Sequence, residues 1–62
     1  MPVVTISGNN TINKENKNKM VHEVTKVVAN AYNLPESAIT ILIEEYPAEN
    51  VGVGGKLLSD LK

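Results

Sequence analysis

With 62 residues and no cysteine, this chain has little core of its own and no covalent staple. A single core in a domain under ~70–80 residues rarely supplies more than ~3–5 kcal/mol. Such chains gain the rest from disulfides, a metal, cyclisation, oligomerisation or unusually good packing. The absence of Cys removes a disulfide scaffold and a Cys-ligated metal, and one His leaves little for a zinc site. Oligomerisation is therefore the expected remedy, with other copies of the chain completing the core.

The rest of the composition narrows the function classes. About 42% of residues are apolar, which is ordinary globular composition. All six basic residues are Lys, and they face seven acids for a net charge of −1. Scattered lysines at that balance form no basic stripe, so no nucleic-acid partner is expected. The longest apolar run falls far short of the ~20 residues of a membrane span, so no membrane partner is expected either. No charged n-region followed by an apolar h-region opens the chain, and the expected compartment is the cytoplasm. Without repeats, low-complexity tracts or linkers, residues 1–62 are expected to form a single domain.

Val3-Val4-Thr5-Ile6-Ser7 is β-branched and short, and predicts a strand that ends at the turn residues Gly8-Asn9-Asn10. Asn13 is a candidate N-cap. After it, Met20, Val21, Val24, Val27, Val28 and Ala31 trace one stripe at helical spacing. Asn18, Lys19, Glu23, Lys26 and Asn30 make the solvated face. The spacing predicts a helix over about 14–32, closed by Asn33-Leu34-Pro35. Residues 38–46 then form the strongest strand, with Ile39, Ile41 and Ile43 on one face and Thr40, Leu42 and Glu44 on the other. Strand, helix, strand in that order predicts a βαβ unit of α/β class, with parallel strands and a right-handed crossover. One helix covers one face of such a sheet, and the face bearing Leu42 is left for another subunit.

Few residues here carry chemistry. Pro2 has two readings. It starts an edge strand, where its missing N–H costs nothing. Alternatively, removal of Met1 frees a secondary amine whose ordinary pKa of about 7.7–8.0 is lowered by an apolar pocket or nearby cations, giving a general base near neutrality. Gly52-Val53-Gly54-Gly55-Lys56 lacks the P-loop spacing and has no following Ser or Thr. A dinucleotide fingerprint follows the first strand, not the last. Turn geometry or close backbone approach is the better account of these glycines. His22 reads as a surface or boundary residue and not a ligand. Glu44 and Glu45 are adjacent on a strand and face opposite ways, which makes a poor acid–base pair. Residues 56–62 read as a short strand, a helical turn or a tail.

Taken together, these features resemble a known family. A penultimate Pro opens a β-branched strand, an amphipathic helix follows, Pro35-Glu36-Ser37 leads into a second strand, and Val51-Gly52-Val53-Gly54-Gly55 comes near the end. Over almost its whole length the chain resembles the 4-oxalocrotonate tautomerase family, in its DmpI-like subgroup. The resemblance implies a βαβ unit with a short C-terminal β-hairpin, assembled as a homohexamer that is a trimer of dimers. It implies that Pro2 is the general base for keto–enol proton transfer on a small unsaturated 2-oxo or 2-hydroxy acid, and that no metal or organic cofactor is used.

The departures from the family pattern concern the substrate. Better-known members bind the substrate carboxylate and polarise its carbonyl with arginines, and this chain has none. Aligned without gaps from Pro2, those positions fall near Ile12 and at Thr40, and an aromatic position falls at Val51. Replacement cations are expected from Lys14 and Lys17. A strand of eight residues spans roughly 26 Å at ~3.3 Å per residue, so these lysines lie far from Pro2 of their own chain. An antiparallel neighbour brings them close. Both sit in the first helical turn, whose free N–H groups favour an anion. Lys17, in phase with the apolar stripe, either holds carboxylate or snorkels over the core edge. Thr40 and Val51 complete the expected substrate contacts, Val51 as an apolar wall. The alternative function is a catalytically weak hexameric binding or scaffold protein that keeps the fold.

Overall fold

The computed structural model describes residues 2–61. Its elements are strand β1 (Val3–Asn9), helix α1 (Lys14–Tyr32), strand β2 (Thr40–Tyr46), and a hairpin of β3 (Gly52–Val53) and β4 (Lys56–Leu57). Short 3₁₀ turns occupy Glu36–Ala38, Ala48–Asn50 and Leu58–Asp60. β1 and β2 pair in parallel from Val3 opposite Thr40 to Asn9 opposite Tyr46, with α1 as the crossover. The expected βαβ unit with a C-terminal hairpin is the architecture observed. Among the described residues no helix is long and apolar enough to cross a membrane.

Local chemistry sets the helix ends. Asn13 has extended backbone angles, and its side-chain oxygen accepts from the Asn16 N–H at 2.8 Å. Glu15 complements the positive end of the helix dipole. At the other end Asn33 takes left-handed angles (φ 57°, ψ 48°). The Leu34 N–H bonds to the Ala29 carbonyl at 3.0 Å and the Asn33 N–H to the Asn30 carbonyl at 3.3 Å. This is the Schellman arrangement, with Asn in the place glycine usually fills.

Two strand boundaries differ from the sequence expectation. β1 does not stop at Ser7. It runs on through Gly8 and Asn9, because β2 offers Glu45 and Tyr46 as ladder partners. β2 begins at Thr40 rather than Ala38, because the chain after Pro35 closes a 3₁₀ turn. There the Ala38 and Ile39 N–H groups bond to the Pro35 and Glu36 carbonyls at 3.0 and 3.1 Å.

Val4, Ile6, Ile41 and Ile43 turn toward α1 and are half-buried. The helix answers with Met20, Val21, Val24, Thr25 and Val28, and with Ala29, which at 4% exposure is the one buried residue of the described core. Val27 and Ala31 belong to the predicted stripe but stand exposed, Val27 at 67%. Two strands ~4.8 Å apart make a support narrower than a helix of ~10–12 Å diameter, so the flank carrying Val27 and Ala31 overhangs it.

The other sheet face is bare. Val3 is 52% exposed and Leu42 50%, and among the described residues both strands have an unpaired outer edge. β3 and β4 form a separate two-stranded sheet that does not join the first. Gly54 and Gly55 sit at its tip with φ of 60° and 85°. Two successive positive φ angles are the mark of a type I′ hairpin turn, whose twist suits the flanking strands. The Leu58 N–H returns to the Val51 carbonyl at 2.7 Å and closes the base of the hairpin. The radius of gyration is 14.8 Å, with extents of 43 × 23 × 13 Å. A compact chain of this length has a radius of roughly 11 Å. The protomer is a thin plate that leaves much of its apolar surface uncovered.

Candidate active site

The five residues singled out in the sequence fall into two groups at opposite ends of the sheet, plus Val51 beside the hairpin. Pro2 enters β1 directly. It is half-buried, and its carbonyl accepts the Thr40 N–H at 3.2 Å. That bond extends the parallel ladder by one step and fixes the proline ring at the start of both strands. Thr40, opposite Val3 on the bare face, is exposed.

Lys14 and Lys17 lie at the other end, in the first turn of α1. Six ladder steps from Val3 to Asn9 correspond to roughly 20 Å. No pair of Pro2 with either lysine is therefore made within one chain. Lys14 is exposed and forms no ion pair among the described residues. Lys17 is half-buried, and its Nζ lies 2.7 Å from Glu45 Oε2. Its inward position agrees with its phase on the helix. Its partner was not anticipated in the sequence. The signal was nonetheless present: Glu45 shares the parity of Ile41 and Ile43, so it faces the helix at the end of β2 where α1 begins. Val51 is half-buried between the Ala48–Asn50 turn and β3, and its N–H bonds to the Ala48 carbonyl at 3.3 Å.

Glu44, one residue before Glu45, faces the opposite way, as strand alternation requires. Its Oε1 accepts from Ser7 Oγ at 2.8 Å and from the Tyr46 hydroxyl at 3.3 Å. Beneath the N-terminal turn of α1 lies a half-open cavity of about 160 Å³. Ile6, Ile12, Met20 and Ile43 give it apolar walls, with Gly8, Asn9, Glu44 and Glu45 around them. His22 is exposed on the outer face of α1, far from being a core residue. Among the described residues no three of His, Cys, Asp and Glu gather as a metal ion would need.

A small parallel βαβ unit with a penultimate proline and a glycine-tipped hairpin is a narrow combination, and comparison with known proteins gives it a family. The family model described as "Tautomerase enzyme" matches residues 2–61, beginning at Pro2. The chain is 34% identical over 62 residues to the 2-hydroxymuconate tautomerase of Bacillus subtilis, covering 100% of both chains. The crystal structure of DmpI from Archaeoglobus fulgidus superposes with a TM-score of 0.85 at 49% identity, covering 95% of this chain and 100% of that one. A heterohexameric 4-oxalocrotonate tautomerase from Chloroflexus aurantiacus J-10-fl shares the fold with a TM-score of 0.90 at 22% identity, covering 100% of each chain.

The chain belongs to the tautomerase family, and its activity class is that of a tautomerase, an isomerase. Within that family it is a 4-oxalocrotonate tautomerase homologue of the DmpI-like subgroup.

Proposed function

We propose that this protein moves a proton between oxygen and carbon of a small unsaturated 2-oxo or 2-hydroxy acid, with Pro2 as the general base. The observation that carries the reading is the setting of Pro2. It is the first residue of the family match, it is half-buried, and its carbonyl bond to Thr40 holds the ring at the sheet end. Removal of Met1 turns its ring nitrogen from an amide into a secondary amine. A half-buried site disfavours the protonated form, so the free amine is the form this setting favours. The neutral amine takes the proton of the 2-hydroxyl group, the oxygen electron pair becomes the carbonyl, and the carbon–carbon double bond shifts. The ammonium then returns the proton to carbon. Nothing is gained or lost overall, and no cofactor is called for.

Assembly supplies what one protomer lacks. A homohexamer, arranged as a trimer of dimers, covers the bare face with Val3 and Leu42 and the free strand edges. The related Chloroflexus enzyme is itself a hexamer. An antiparallel neighbour carries its α1 N-terminus to Pro2. Lys14, without an ion-pair partner among the described residues and next to free helix N–H groups, is the better carboxylate holder of the two lysines, because Glu45 already neutralises Lys17. Thr40 and Val51 line the substrate, Val51 as an apolar wall.

The competing reading, a hexamer that binds without efficient turnover, draws on the missing arginines and on the pairing of Lys17 with Glu45. One assay separates the two. Intact mass establishes loss of Met1, and ketonisation of a simple enol acid is followed with the amine free and with it acetylated. Turnover that acetylation abolishes is the expected result. Equal rates from both forms would remove Pro2 as the base, and no turnover from the free amine would favour the binding protein.

A further inference from the structure

We infer that the cavity under the first turn of α1 is a subsite for an uncharged, aromatic-sized substrate tail, so that the preferred substrate is an aryl monocarboxylate rather than a dicarboxylate. The inference rests on the tautomerase reading above and specifies its substrate class.

Size and lining come first. The cavity measures about 160 Å³. An apolar protein cavity of about 150 Å³ is enough to take up benzene. Ile6 and Ile43 come from the two strands, Ile12 from the loop before α1, and Met20 from the helix, so aliphatic or thioether groups close it on several sides. Met is the adaptable member, suited to a flat ring whose edge it can contact.

Charge decides against a second carboxylate. Glu45 is part of the lining and has its carboxylate on the helix side, whereas Glu44 contributes to the wall but turns its carboxylate to the other face, toward Ser7. Lys17 already has the Glu45 carboxylate at 2.7 Å. There is no Arg anywhere in the chain to offer a bidentate fork. A distal carboxylate entering here would lose water, meet the like charge of Glu45 and find Lys17 already taken. A phenyl group loses nothing by entering and leaves the ion pair intact. The head carboxylate stays outside with Lys14, the cation of that helix turn with no acid partner among the described residues. The cavity thus binds the end of the substrate that does not react, while Pro2 of the neighbouring copy meets the end that does.

The test uses the assembled protein and two acids that do not turn over, 3-phenylpropionate and hexanedioate. Binding is followed by NMR of the Ile and Met methyl groups. Phenylpropionate is expected to bind about tenfold more tightly than hexanedioate, the scale set by burying an apolar ring. The methyls of Ile6, Ile12, Met20 and Ile43 should shift with it. Met20→Trp, which fills the cavity, should cancel the preference. Should that variant fail to fold, Ile12→Arg serves instead, and it should move the preference toward hexanedioate. Equal or tighter binding of hexanedioate to the unmodified protein would overturn the proposal. So would unmoved cavity methyls, or contacts from those methyls to a neighbouring copy in place of the ligand. Neither acid needs a reactive amine, so loss of the catalytic reading of Pro2 leaves this result independent.

Discussion

Lys17 and Glu45 join the first turn of α1 to the end of β2, with Nζ and Oε2 at 2.7 Å. Each side chain keeps about a third of its surface in water, 31% and 30%. Pairs so exposed contribute little, because water and salt screen them. Glu45→Gln is therefore expected to cost about 0.5–1 kcal/mol at low salt. The loss should shrink in high salt, as urea denaturation in the two buffers would measure. A salt-independent loss would mean that assembly buries the pair.

The helix caps should matter more than this pair. Asn13→Ala removes the acceptor for the Asn16 N–H and should cost about 1 kcal/mol. Asn33→Ala forces a Cβ-bearing residue without a polar side chain into left-handed angles, at about 1–2 kcal/mol. Asn33→Gly should lose nothing and can gain stability. Urea midpoints for the three variants at one protein concentration give this order directly, since assembly makes stability depend on concentration.

At the hairpin tip the two glycines differ from ordinary loop glycines. An added Cβ on Gly54 or Gly55 would meet nothing within 4 Å, yet both have positive φ. Substitution is thus costly through the backbone and not through collision. Gly54→Ala is expected to lose about 1–2 kcal/mol. Gly54→Asn should stay close to the unmodified protein, because Asn is favoured at the first centre of a type I′ turn. Thermal melts of both variants would test the contrast.

The sequence carried the helix almost to the residue, because Asn13 and Asn33-Leu34-Pro35 are chemical stop signs that act locally. Strand ends were less legible. Gly8 and Asn9 have turn chemistry, and only the length of β2 keeps them in the ladder. The helix stripe was readable in period but not in phase. Val27 and Ala31 fit the spacing as well as Thr25 and Ala29 do, and the narrow two-stranded support decides between them. Pro2 was legible as a chemical possibility, and the structure adds its bond to Thr40. The cavity was not legible, since Ile6, Ile12, Met20 and Ile43 come from four separate segments. The ion pair needed only one further inference, that Lys17 and Glu45 face each other at the same end of the βαβ unit.

The claim that Pro2 is the base is tested most directly by titrating its nitrogen. With ¹⁵N-labelled proline, the amine signal and kcat/KM for an enol acid are followed over the same pH range. The account predicts an amine that titrates below the ordinary α-amino range of about 7.7–8.0, with kcat/KM rising through that same pH as the amine loses its proton. A rate that stays level while the amine titrates, or that persists in protein retaining Met1, would contradict it.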